Sequence, residues 1–132
     1  MNTMTVERTI SIRGLFRISR PINLLMVGFA QLMTAYFLVK TTNSGLPVLQ
    51  DYKLYLIIIS TLIITAAGYM INDYYDVKID YVNRPGDVVV GKGIKRRVVI
   101  FLHTVLNFTA IGLGFLVSPI FAIINFTAAF LL

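Results

Sequence analysis

Long charge-free blocks alternate with short polar ones along the chain, and the blocks are apolar all round rather than on one face. Pro21 to Val39 is broken only by Asn23, Gln31 and Thr34, Leu54 to Ile71 carries no charge, and Val98 to Val117 holds His103 and Asn107 one turn apart. About 20 apolar residues in a helix cross the ~30 Å of bilayer hydrocarbon. Three membrane-spanning helices are therefore predicted, the second continuing past the membrane through a polar motif. A fourth run, Ile120 to Leu132, follows a turn at Ser118-Pro119 and is too short to cross; it reads as a helix cut off in its middle. Pro21 suits a first helical turn, where its missing N–H costs nothing. Before it lies a polar leader, Met1 to Arg20, in which Ser11 to Ile18 alternates apolar and basic residues and predicts a short interfacial helix. Lys40 to Lys53, with Gly45 and Pro47, reads as a loop, and a longer polar connection runs to about Arg97.

Composition turns this pattern into a class. Hydrophobic residues make up 57% of 132, charged residues only 14%, and the mean hydropathy is +0.78. About a quarter of a soluble domain is charged. The fold class expected is an all-α polytopic membrane bundle of about four helices, with membrane lipids as its surroundings. The net charge of +6 does not argue for nucleic acid, because the basic residues flank the apolar blocks. Arg8, Arg13, Arg17 and Arg20 precede the first block. Lys78, Arg84, Lys92, Lys95, Arg96 and Arg97 lie between the second and third, against only Lys40 and Lys53 in the first loop. The positive-inside rule then puts the leader and the 72–97 loop in the cytoplasm. With no cysteine, disulfides and thiolate metal sites are excluded.

The charge that topology does not explain is acidic. The second block ends in Asn72-Asp73-x-x-Asp76-x-x-x-Asp80. On an unbroken helix these positions fall near 0°, 100°, 40° and 80°, on one quarter of the circumference. Like charges at such spacings repel, and more so at a low-dielectric membrane edge. Something positive is expected on this face. Hard oxygen donors without His or Cys favour Mg²⁺ or Ca²⁺, and the alternating ligands and central Gly of an EF-hand loop are missing. Carboxylates on a rigid helix suit Mg²⁺ holding phosphate oxygens, with an apolar tail running between helices. The plainer alternative is that these residues only end a helix and solubilise a loop.

The motif and its flanks resemble the first part of the UbiA superfamily of intramembrane prenyltransferases, which carries Asn-Asp-x-x-Asp-x-x-x-Asp at the cytoplasmic end of its second helix. Gly68-Tyr69 before the motif, Asn83-Arg84-Pro85 after it, Gly91 before the third helix, and Arg20-Pro21-x-Asn23 at the first helix are similar as well. The resemblance runs from about Arg13 onward. It implies a fold of about nine helices, residues 21–132 being part of that domain, in a prokaryotic cell membrane. It also implies that Mg²⁺ bridges aspartates to the diphosphate of a polyprenyl diphosphate donor, whose prenyl group passes to a lipophilic or aromatic acceptor or to a glycerol-phosphate-type hydroxyl. By this resemblance Asp73 and Asp76 are catalytic, Asp73, Asp76 and Asp80 hold the metal, and Asn72, Arg84 and Asn23 bind substrate. Two departures stand out. Gly86-Asp87 replaces a further basic residue often found after Arg-Pro, and nothing acidic follows Asp87. The family's second aspartate motif, in its C-terminal half, is therefore missing, and these 132 residues alone are expected to be inactive.

Other polar residues have plain readings first. His103 and Asn107 pair with a neighbouring helix more readily than they relay protons. Asn23 and Gln31 share a face suited to interhelical hydrogen bonds. Tyrosines near helix ends are interfacial anchors, with Tyr74 and Tyr75 beside the acidic face able to shield a cation. The rival to an enzyme is a non-catalytic membrane subunit that uses the acidic face for binding or assembly.

Overall fold

A computed structural model describes residues 12–39, 46–83, 86 and 88–132. Among these residues there are seven helices and no strand: α1 Ile12–Ile18, α2 Pro21–Leu38, α3 Leu46–Leu49, α4 Tyr52–Tyr75, α5 Val77–Asn83, α6 Arg96–Val117 and α7 Pro119–Leu131. Three of them, α2, α4 and α6, are long and apolar enough to cross a membrane, and α7 is shorter. The all-helical membrane bundle read from the apolar blocks is what forms. The expected loop at 40–53 contains α3, and α4 begins at Tyr52, where Asp51 caps it by accepting from the Lys53 N–H at 2.9 Å. Asp51→Ala is expected to lower stability by about 1 kcal/mol, read as a modest fall of Tm in detergent.

Helix α4 is the centre of the bundle, packing mainly on α6, with α2 on another side and α7 closing against α6. Beside Ile58, Ile64 and Met70, many of the buried positions are small or polar: Ser60, Ala67, Ala110, Asn107, Ala122 and Asn125. Outward lie Phe29 and Phe37 on α2, Phe101, Phe108 and Phe115 on α6, and Ile123, Phe126 and Phe130 on α7. This is the reverse of a water-soluble bundle. Hydrocarbon supplies no drive to bury Phe, so helices meet where small side chains let backbones approach and polar groups pair. Asn125 carries the tightest such contact: its Nδ2 donates to Ser60 Oγ on α4 and, at 2.9 Å, to the Ala110 carbonyl on α6. Ser118 makes the α6–α7 corner, its Oγ accepting from the Phe121 N–H at 3.1 Å with Pro119 following.

One end of the bundle carries a small core of its own. Ile18 from α1, Met70 from α4, Val77 from α5, Val90 and Ile94 from the 88–95 turn, and Val99 from α6 are buried together. Gly91 closes that turn at φ +91°, a conformation that favours glycine, and its N–H donates to the Ile94 carbonyl at 2.7 Å. The predicted helix in the leader is present as α1. Ile18 is 2% exposed and anchors it against the end of α4, whereas Ile12 and Phe16 face outward. This seating fixes where Arg17 and Arg20 stand relative to the acidic motif.

Candidate functional site

The helix continues through the motif as expected, with one turn residue in its course. Helix α4 ends at Tyr75, Asp76 is a turn residue at φ −77° and ψ −3°, and α5 resumes at Val77. Asn72 Nδ2 donates to Asp76 Oδ2 at 3.0 Å, a side-chain pair one helical turn apart of the kind that supports a helix. Backbone bonds from Asp76 to Asn72 and from Asp80 to Asp76 persist, so the helical path is continuous there. Helical spacing divides the carboxylates, with Asp73 and Asp80 two turns apart on one side and Asp76 one turn after Asn72. Asp73 and Asp80 line one cavity of about 290 Å³, while Asp76 is not among its lining residues and turns to Asn72.

The positive partner anticipated for the acidic face is Arg20. Its Nη2 donates to Asp73 Oδ1 at 2.9 Å, and its guanidinium lies 5.0 Å from the centre of the Tyr69 ring. Arg20 is the junction between α1 and α2. It adopts a left-handed backbone, φ 50° and ψ 63°, unfavourable for a side chain of this kind. Its side chain does not cap α2 but reaches across to α4. Arg17 lines the same cavity, with Val77 and Val88 in the walls. Two guanidiniums and two carboxylates thus face one space. Asp73 is partly desolvated there and is repelled by Asp80 and Asp76.

A second hollow, about 390 Å³, runs down α4 from the same point, past Asn72, Tyr75 and Tyr69 to Gly68 and Thr65. Arg20 lines both spaces. Of the two motif tyrosines, Tyr74 is already covered by Arg96, whose Cζ is 4.4 Å from the ring centre, whereas Tyr75 faces the hollow. Asn23 is exposed on α2 and does not line the polar cavity. Arg84 lies outside the described residues. His103 Nδ1 bonds the Ala67 carbonyl of α4 at 3.0 Å, the interhelical pairing expected of it, and within α6 its Nε2 bonds Asn107 Nδ2 at 3.1 Å. Gln31 Oε1 is buried without a partner among the described residues, so the bond expected of Gln31 is not formed there.

Tested against a divalent cation, the donor set fits in part. The described residues bring no three carboxylate, His or Cys groups together as a closed metal cage. Two carboxylates on one cavity do suit a cation that draws its other ligands from phosphate oxygens and water, the usual habit of Mg²⁺. Sequence reasoning missed Arg17 as a wall of this cavity, counting it among the topology charges. Its place three residues before Arg20, at the end of the interfacial helix that precedes the first membrane span, was the available signal.

Residues 23–132 match the UbiA prenyltransferase family. Digeranylgeranylglyceryl phosphate synthase of Methanoregula boonei is 35% identical over 85 residues, 64% of this chain and 28% of that protein. The enzyme of the same name from Methanococcoides burtonii is 32% identical over 104 residues, 77% and 37% of the two chains. That of Methanosarcina barkeri is 29% identical over 120 residues, 86% and 42%. The chain thus spans between 28% and 42% of the length of these relatives. No solved structure matches it. With most of its length matched and the motif set at the mouth of its central helix, the chain belongs to the UbiA prenyltransferase family.

Proposed function

We propose that this chain forms the donor-binding part of a Mg²⁺-dependent prenyltransferase that moves a polyprenyl group from a polyprenyl diphosphate to a glycerol-phosphate-type hydroxyl. One observation carries the reading: a polar cavity lined by Asp73, Asp80, Arg17 and Arg20 adjoins, at Arg20, a hollow that runs down the membrane helix α4. Such a pair of spaces suits a ligand with a charged head and a greasy tail. The relatives' name, digeranylgeranylglyceryl phosphate synthase, favours a glyceryl phosphate acceptor over an aromatic ring.

In this mechanism Asp73 and Asp80 would hold the metal, with Asp76, bonded by Asn72, as further negative charge outside the cavity lining. When bound, Mg²⁺ acts as a Lewis acid that neutralises charge building on the departing diphosphate. Arg17 and Arg20 supply fixed positive charge at the same place, preorganised rather than recruited from solvent. The hollow along α4 takes the tail and keeps water from the allylic carbon as its bond to oxygen breaks. Tyr75 offers a ring face to the developing carbocation. The basic flanks orient this end of the bundle toward the cytoplasm.

The test is retention of radiolabelled polyprenyl diphosphate by the protein in lipid vesicles, with Mg²⁺ or with EDTA. Retention is expected with Mg²⁺ and background with EDTA. Equal retention in both would sink the reading. It would favour the non-catalytic subunit, for which the Arg20–Asp73 pair, satisfying a carboxylate without metal, is the supporting observation.

A further inference from the structure

The polar cavity is electrically balanced by its own side chains. Asp73 and Asp80 bring two negative charges, Arg17 and Arg20 two positive ones. A bare divalent cation entering it must compete with Arg20 for Asp73 Oδ1, which Arg20 already holds at 2.9 Å. A bare diphosphate must compete with Asp73 for Arg20. A cation and a diphosphate arriving together face neither penalty in full, because the cation takes the carboxylate while the anion takes the guanidinium. We propose that Arg20 is an exchange partner: it caps Asp73 when the cavity is empty and is handed to the diphosphate when a divalent cation claims Asp73, so that metal and diphosphate bind together far better than either binds alone.

Three features beyond the ion pair support this. Arg20 stands at the wall common to the polar cavity and the hollow below it, where the diphosphate of a tailed ligand would come to rest. Its guanidinium packs on Tyr69, a ring that holds the charge near the site after the carboxylate is surrendered. Its backbone is held in the left-handed region between two helices, α1 being anchored by buried Ile18, so the side chain is directed across to α4 and not along its own helix. An exposed arginine that served only orientation in the membrane needs none of these. Arg20 is thus a positioning residue whose contribution changes sign between the metal alone and the metal–diphosphate pair. This inference rests on the proposed function above and adds to it a coupling between its two ligands.

The experiment uses the full chain in nanodiscs of neutral lipid and two probes, Mn²⁺ alone read by electron paramagnetic resonance, and preformed Mn²⁺–diphosphate read by labelled diphosphate. Arg20→Gln is expected to bind Mn²⁺ alone about tenfold more tightly and the Mn²⁺–diphosphate pair about tenfold more weakly, within the usual range of coupling between sites. Arg20→Lys keeps the charge and is expected to restore binding of the pair. Opposite signs are the signature, since a merely structural arginine would weaken both. If both ligands bind the native protein and Arg20→Gln weakens both or changes neither, the exchange is wrong while the proposed function stands. If neither probe binds the native protein, both fail together.

Discussion

Asp73→Asn should lower Mg²⁺-dependent retention of the donor by about 10²-fold, the order lost when one preorganised electrostatic group is removed from a site. The substitution keeps the shape of the side chain, including the oxygen that accepts from Arg20, and removes the charge. Misfolding does not compete as an explanation. The Arg20–Asp73 pair is partly open to solvent, with 44% and 22% of the two side chains exposed, and such pairs contribute no more than about 1 kcal/mol. Asp80→Asn should behave alike, because Asp80 lines the same cavity. Filter retention of labelled donor, with circular dichroism to check helix content, decides the matter. Donor retention unchanged by Asp73→Asn would show that the acidic face serves assembly or solubility, as the subunit reading holds.

How much of this was legible beforehand depended on the range of the interaction. The three long helices were readable because a charge-free block of about 20 residues has few other fates. Their ends moved by only a few residues, as where α4 begins at Tyr52 under its Asp51 cap and not at Leu54. The acidic motif was readable as chemistry, and the need for a positive partner followed from like charges at the edge of a membrane. That the partner is Arg20 was not readable, because it stands 53 residues away and depends on how α1 is seated. The division of the carboxylates between two sides was itself readable in their spacing. On the wheel Asp80 falls within about 20° of Asp73 while Asp76 lies nearer Asn72, and this is why Asp73 and Asp80 share a cavity and Asp76 bonds Asn72. The lock between Asn125, Ser60 and Ala110 escaped notice because helices apolar on every face give no periodic signal of which side turns inward. Small residues mark that side instead, and they are easy to pass over in an apolar run.

Those small residues make the second large effect a matter of two glycines on one helix. Gly112 and Gly114 lie two positions apart on α6, and by intrinsic propensity Ala at either should strengthen the helix by up to about 1 kcal/mol. At Gly112, exposed and with nothing within 4 Å of an added Cβ, that gain should appear or stability should stay as it is. At Gly114 the sign reverses. An added Cβ would stand 2.9 Å from the Ala122 Cα and 2.8 Å from Asn125 Nδ2, closer than real Cβ atoms come. Backbone cannot step aside as a flexible side chain can, so α7 must move off α6, and overpacking of this kind costs about 1–3 kcal/mol. The same shift pulls Asn125 from Ser60 and from the Ala110 carbonyl, and a buried amide left without partners costs about 1–3 kcal/mol more. Gly114→Ala should therefore lose about 2–6 kcal/mol from these two terms together, seen as a large fall of Tm in detergent, with Gly112→Ala as the control. Equal stability of the two variants would mean that α6 and α7 do not meet at Gly114. The inward face assigned to α6 would then be wrong, and with it the α6–α7 corner that closes the bundle around α4.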